Sequence, residues 1–236
     1  MPNKLAEFPQ LWFAKVEHAS LQNEEACKSL LSISEYRRFK AIQSPSKQRQ
    51  YLLSRWLIRH ALSHAYHQSM AFWNIEEITG KFPVIHNLPD DAFLSLSHSH
   101  DRIMFAMSDG PIGVDIEKKI QRKNVAEMAE LFMTPEELEL FHQHVNRELY
   151  FYQTWCIKEA YFKSLPAHEQ QNLSLQKIDS SYIRSDKNGS TIITDRLIGY
   201  VLAVHSEKKL DAINCFALND SDQDFMNNFG PVVDNF

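Results

Sequence analysis

GPIGVDIEKK, residues 110–119, is the stretch on which the reading turns. Ile112, Val114 and Ile116 alternate with Gly113, Asp115 and Glu117, the period of a β-strand with one apolar face. The opposite face carries two carboxylates at i and i+2, side by side. Like charges so placed repel, and a compensating group is expected against them.

Outward from this strand, AFLSLSHS (residues 92–99) and DRIMFAMS (101–108) read as two further strands. With PIGVDIE (111–117) and the turn signals SHD and DGP, they predict an antiparallel meander. LWFAKVEH (11–18) reads as a first strand and LQNEEACKSLL (21–31) as a short helix. SPSKQRQYLLSRWLIRHALSHAYHQ (44–68) reads as a long helix, with Ser44 as cap and Pro45 in its first turn. Downstream, TPEELELFHQH (134–144) carries a capping box, with Thr134 as N-cap, Pro135 at N1 and Glu137 at N3. NRELYFYQTWCIKEAYFKSL (146–165) is a second long helix. YIRSDKNGSTIIT (182–194) reads as a hairpin turning at Asn188-Gly189. GYVLAVHS (199–206) and AINCFAL (212–218) are the last strands, before a polar, acidic tail. Each half thus combines helices with a small antiparallel sheet, an α+β chain. The expected division is an N-terminal lobe over 1–111, a C-terminal lobe over 112–218 and a tail over 219–236.

The bulk properties narrow the function. A chain of 236 residues with 44% hydrophobic residues has enough apolar surface for a sizeable core. The formal net charge of -5 speaks against a broad nucleic-acid footprint. Cys27, Cys156 and Cys215 are far apart, with neither metal spacing nor a disulfide framework, which suits a reducing cytoplasm. The first ten residues lack the apolar core of a signal peptide, and no apolar run approaches the roughly 18 residues of a membrane span.

Asp115 and Glu117 call for a third ligand and a cation. In WCIKEAYFK (155–163), Trp155, Glu159 and Lys163 fall at i, i+4 and i+8 on one helical face. Glu159 is placed to close a Mg²⁺ site of oxygen ligands. Lys163, one turn on, suits a phosphate or a leaving oxyanion. The plain alternative is an exposed i,i+4 ion pair. Trp155 is expected to pack. His60, His64 and His67 share a helical face, but no nearby carboxylate or cysteine completes a zinc set, so a partly exposed stripe is expected. Arg55 and Arg59 are expected at the surface.

GVDIE and WCIKEAYFK together resemble the 4'-phosphopantetheinyl transferases, of the longer, surfactin-synthetase-activating type. SLSHS, with Ser97 and His98, resembles that family's motif ahead of the metal strand. TGKFPVI resembles its Gly-Lys-Pro turn, RQYLLSRWLIR its basic first-lobe helix, and LFMTPEE its Phe-x-x-x-Glu segment. The motifs fall in the family's order, from about residue 34 to 163; each is weak alone and the ordered set is specific. The resemblance implies two similar lobes related by a pseudo-two-fold axis, with coenzyme A between them, in a monomer. It implies transfer of phosphopantetheine from coenzyme A to a serine of an apo acyl or peptidyl carrier protein, releasing adenosine 3',5'-bisphosphate. Mg²⁺ would be held by Asp115, Glu117 and Glu159 and act on the pyrophosphate. Lys163, His98 and Ser97 would contact coenzyme A. Arg49 and Lys81 would hold its 3'-phosphate or nearby oxygens. The serine proton would go to Glu159, to Glu136 or to a water on the metal.

The sequence also departs from the family's pattern. Phe82 precedes Pro83 in the Gly-Lys-Pro turn, which bears on the aim of Lys81. Ser32 and Glu35 stand where lysines for the 3'-phosphate are expected, leaving Arg37, Arg38 or Arg49 as substitutes. Two rival functions use the same residues: a metal-dependent phosphohydrolase or nuclease, and an inactive homologue that binds carrier proteins.

Overall fold

The computed structural model describes residues 9–16, 24–80, 82–89, 91–186, 189–210 and 213–218. β1 (Gln10–Lys15) is followed by α1 (Glu24–Ser29), α2 (Ile33–Ala41) and the long α3 (Pro45–Tyr66). β2 (Ile75–Glu76) and β3 (Val84–Ile85) form a short ribbon. Next come β4 (Phe93–Ser99), β5 (Arg102–Ser108) and β6 (Ile112–Lys118). The helices α4 (Val125–Glu130), α5 (Pro135–Gln143), α6 (Arg147–Ser164), α7 (Ala167–Gln170) and α8 (Ser180–Ser185) precede β7 (Ser190–Thr194), β8 (Tyr200–Ser206) and β9 (Asn214–Ala217). The mixed α+β character expected from the sequence is present.

Two sheets organise the core. One has the order β4-β5-β1-β9, with β9 parallel to β1; the other is the antiparallel set β6-β8-β7. Strand alternation gives each sheet two apolar faces. In β1, Trp12 and Ala14 pack with Leu53, Leu57, Ile58 and Ala61 of α3, while Leu11 and Phe13 turn the other way. There they meet Met104 and Ala106 of β5, Ile112, Val114 and Ile116 of β6, and Leu202 and Val204 of β8. The far side of β8, Val201 and Ala203, packs with Tyr152, Cys156, Ile157 and Ala160 of α6. The layers therefore run α3, first sheet, second sheet, α6.

Four expectations are corrected. The first sheet is not purely antiparallel or confined to the N-terminal half, because β9 joins it parallel to β1. β4 and β5 pair antiparallel, but β6 does not complete a meander; it pairs with β8 from Ile112↔Ser206 to Lys118↔Tyr200. Stacked on the first sheet rather than beside it, β6 buries its whole apolar face, which a coplanar position would not achieve. Tyr182 to Ser185 lie in α8, not in a hairpin strand; the Asp179 carboxylate caps this helix by accepting the Ser181 N–H at 2.8 Å. Asn188 lies outside the described residues. Arg55 and Arg59 are buried rather than superficial. Arg59 meets Glu35 of α2 through two bonds, 3.0 and 2.6 Å, and Arg55 donates to Glu77 at 2.6 Å. A fully buried Glu35 supplies the partner that makes their burial tolerable.

Candidate active site

The site depends on how closely α6 lies against β6. A Cβ at Gly113 would stand 1.8 Å from the Ala160 carbonyl oxygen and 2.6 Å from the Ser164 amide nitrogen. Only glycine admits the helix backbone here. Asp115 and Glu117 share the Gly113 face of β6, so this approach sets Glu159 and Lys163 of α6 over the carboxylates. The helix is fixed at its start by Asn146, whose side-chain oxygen accepts the Leu149 N–H at 3.0 Å.

Lys163 Nζ lies 2.6 Å from Asp115 Oδ1 and 3.7 Å from Glu159 Oε2. Asp115 is 2% exposed, and its second oxygen, Oδ2, is buried with no hydrogen-bond partner among the described residues. Burial, and after it the Asp115 charge, pushes the Glu117 carboxyl up to about 7. Burial likewise raises Glu159, opposed by Lys163. For Lys163 burial works downward, yet Asp115 and Glu159 outweigh it and raise the ammonium. Two acidic side chains thus pair with Lys163, and a third, Glu117, is near enough to feel its charge. Oxygen-only donors, an excess of negative charge and an orphaned buried carboxylate oxygen all suit a divalent cation such as Mg²⁺. Among the described residues no three His, Cys, Asp or Glu side chains close around a single point. Glu159 instead reaches Lys163, whose ammonium links it to Asp115.

β4 borders β6 without pairing to it. Ser97 Oγ donates to Asp115 Oδ1 at 2.8 Å and accepts the Ile116 N–H at 3.3 Å. Ser99 Oγ donates to Glu117 Oε2 at 2.9 Å and accepts the Lys118 N–H at 3.2 Å. Ser95 Oγ accepts the Val114 N–H at 3.0 Å. His98 points to the other face of β4 and keeps open surface; partial covering of its ring, then the charges of Lys47, Lys163 and Arg55, hold its imidazole below its usual pKa. Gln50 Nε2 donates to the His100 carbonyl at 3.0 Å and ties the start of α3 to the β4–β5 turn.

The structure thus brings together Asp115, Glu117, Glu159, Lys163 and Ser97; His98 lies on the opposite face of β4, near enough to feel the Lys163 charge. Arg49 is exposed in the first turns of α3 and makes no hydrogen bond or ion pair to the cluster. Glu136 is exposed at the start of α5, whereas its neighbour Glu137 is buried against Lys158. Lys81 lies outside the described residues. Ser32 and Glu35 form a capping box on α2. Trp155 packs edge-on to Phe132, as expected, and with Glu117, Arg122, Met128, Phe151 and Tyr152 lines a cavity of about 50 Å³. His60 stacks on Trp56 and His64 packs against Trp12 and Phe216, whereas His67 lies beyond the last turn of α3 as its C-cap.

Sequence reasoning passed over Ser99, Lys47 and Arg122. The alternation in FLSLSHS (93–99) is the available signal for Ser99, since it places Ser95, Ser97 and Ser99 on one face. Arg122 sits in a polar loop and is fixed only in space: Tyr152 Oη accepts the Arg122 Nε–H and the Ile120 N–H, both at 3.1 Å, and donates to the Ile120 carbonyl at 3.0 Å.

Fold and site define an α+β protein with a carboxylate-and-lysine centre between a strand and a helix. The model of the 4'-phosphopantetheinyl transferase superfamily matches residues 111–217, which include β6 and α6. Over 179 residues the chain is 31% identical to 4'-phosphopantetheinyl transferase Sfp of Bacillus subtilis (strain 168), covering 69% of this chain and 75% of that protein. It is 35% identical over 116 residues to 4'-phosphopantetheinyl transferase psf-1 of Bacillus pumilus, covering 49% of each. A 4'-phosphopantetheinyl transferase of Bacillus subtilis is 34% identical over 146 residues, covering 60% of this chain and 61% of that protein. The chain therefore spans about half the length of the second of these relatives and 61% of the third. It belongs to the 4'-phosphopantetheinyl transferase superfamily.

Proposed function

We propose that this chain transfers 4'-phosphopantetheine from coenzyme A to a serine of an apo acyl or peptidyl carrier protein, releasing adenosine 3',5'-bisphosphate. The observation that carries the reading is Lys163 paired with Asp115 and Glu159, with Glu117 two residues on along the same strand face and Asp115 Oδ2 making no hydrogen bond. Family membership supports it.

Asp115, Glu117 and Glu159 would hold Mg²⁺, which when bound neutralises the pyrophosphate and polarises the phosphoryl group under attack. Lys163 is shared between Asp115 and Glu159 in the protein alone, and turns to phosphate oxygens when coenzyme A arrives. His98, surrounded by Lys47, Lys163 and Arg55, lies in a positive field suited to the same anion. Arg49 and Lys81 serve the 3'-phosphate. Glu159, Glu136 from the exposed start of α5, or a water on the metal would take the proton of the carrier serine.

Two lobes, essentially 1–111 and 112–218, face each other across the coenzyme, with β9 of the second segment crossing back to complete the first lobe's sheet. Each combines a long helix, α3 or α6, with a small sheet, in keeping with a pseudo-two-fold relation. A single chain supplies the site, so a monomer is expected. No helix among the described residues is long and apolar enough to cross a membrane. We place the protein in the cytoplasm, in keeping with free cysteines at Cys27, Cys156 and Cys215.

The test is to incubate the protein with coenzyme A, Mg²⁺ and a panel of apo carrier proteins and to read intact masses. A phosphopantetheine adduct that vanishes with chelator and with Asp115→Ala establishes the reaction. Absence of an adduct on every carrier, with hydrolysis of coenzyme A or of nucleic acid instead, makes this a phosphohydrolase.

A further inference from the structure

Ser95, Ser97 and Ser99 of β4 form a rail along the edge of β6. Their hydroxyls accept the amide hydrogens of Val114, Ile116 and Lys118 at 3.0, 3.3 and 3.2 Å. The spacing is two residues on both strands, so side chains here satisfy the edge donors that a neighbouring strand would otherwise take. A backbone N–H can only donate, so each hydroxyl must accept from it, and its own proton is left to point elsewhere.

That proton is what distinguishes the three serines. From Ser97 it goes to Asp115 Oδ1 at 2.8 Å, and from Ser99 to Glu117 Oε2 at 2.9 Å. Each of these carboxylates precedes the residue whose amide the same serine accepts. At Ser95 the corresponding residue of β6 is Gly113, which has no side chain to bind. Ser97, Ser99 and Asp115 are all buried, so these bonds are little weakened by water.

We propose that Ser97 and Ser99 are positioning residues for the cation site: each anchors one oxygen of a carboxylate and dedicates the other to the metal, while Ser95 serves the backbone alone. The proposal rests on the metal-dependent transferase reading. Asp115 is consistent with this: Oδ1 takes Ser97 and Lys163, and Oδ2 makes no hydrogen bond of its own, buried on the side of the Cys156 thiol. The anchors also hold two like-charged side chains of one strand in place before a cation balances them. Hydroxyls bonded behind a ligand carboxylate act as outer partners, and loss of such a partner typically costs about 10- to 100-fold in metal affinity.

The experiment is Mn²⁺ binding to the full chain, read by electron paramagnetic resonance with and without coenzyme A, alongside thermal unfolding. Ser97→Ala and Ser99→Ala are expected to weaken Mn²⁺ at least about 10-fold. Ser95→Ala should lower the unfolding temperature to a similar degree and leave Mn²⁺ affinity within about two-fold. Ser97→Thr and Ser99→Thr keep the hydroxyl and should recover most of the affinity. If Ser97→Ala does not fold, Ser99→Ala against Ser99→Thr makes the same comparison. Equal Mn²⁺ affinity in all three alanine variants, with the wild type binding normally, overturns the proposal and leaves the transferase reading standing. A wild-type chain that takes up no Mn²⁺ even with coenzyme A removes the metal site itself, and the proposal with it.

Discussion

Two lysines on one helix, Lys158 and Lys163, sit in opposite electrostatic settings. Lys158 is fully buried, ion-paired to Glu137 and bonded to the carbonyls of Phe132 at 2.7 Å and Leu175 at 3.2 Å. Glu137 is satisfied in turn by the amides of Thr134 and Ser180. One charge meets one charge, every oxygen has a donor, and burial lowers the Lys158 ammonium despite Glu137. Lys163 is partly open and shared among acidic groups that outnumber it, even when Arg122 beside Glu117 is counted, and its ammonium is raised. The first arrangement is complete in the protein alone. The second has negative charge in excess and an Asp115 oxygen without a hydrogen bond, the feature on which the proposed cation site rests.

The largest effect separating the two should come from Lys158→Met. Removing one partner of a buried pair leaves Glu137 uncompensated, at a cost of about 3–5 kcal/mol. Urea unfolding reads that cost, and the folded fraction should keep its affinity for coenzyme A. A loss under about 1 kcal/mol would mean that Lys158 and Glu137 are not the structural pair described. Gly113→Ala joins the two regions, because its Cβ would meet the Ala160 carbonyl. We expect a loss of about 3 kcal/mol from overpacking, and also weakened coenzyme A binding as α6 is pushed from β6. A variant destabilised but unimpaired in binding would show that the close approach serves stability only.

A third buried group sharpens the contrast. His205 on β8, opposite Gly113, is lowered by burial to about 4 and lies 2.8 Å from Thr191 Oγ1. The unfolded chain takes up this proton near pH 6.5 and the folded chain only near 4, so the unfolded state binds more protons in between. Stability is therefore full above about pH 6.5 and falls as pH drops toward 4, by up to about 3 kcal/mol. His205→Phe should flatten the acid limb of a stability–pH curve; an unchanged limb would assign it to other groups. The smallest free-energy change expected is at Glu159→Gln. Transfer should fall about 100-fold, equivalent to about 2.7 kcal/mol, with stability altered by less than about 1 kcal/mol. Turnover equal to wild type would collapse the distinction between the two lysines.

Much of this site was legible in the sequence because it is built on short-range periodicity. The strand alternation set Asp115 and Glu117 on one face, and the helical period set Glu159 beside Lys163. The capping box of Thr134 and Glu137 was likewise readable. What escaped depends on contacts between distant segments. Arg59 and Glu35 are 24 residues apart, and nothing local marks the arginine as buried. The departure of β6 from the meander follows from which apolar faces stack, and strand pattern alone does not encode that. The helix at Tyr182 turns on a single capping aspartate beside a stretch that also alternates like a strand. Lys158 and Lys163 look equivalent in sequence, and only Glu137 and Asp115, brought in from elsewhere, make them different.

The most direct test is a calorimetric titration of the protein with coenzyme A, in Mg²⁺ and again in chelator, for wild type and Asp115→Asn. The account predicts binding of one coenzyme A per chain that is strong in Mg²⁺, much weaker in chelator, and insensitive to Mg²⁺ in the variant. Binding that is equal with and without Mg²⁺, or absent in both, would contradict the assignment of the spare negative charge to a cation and the pyrophosphate it holds.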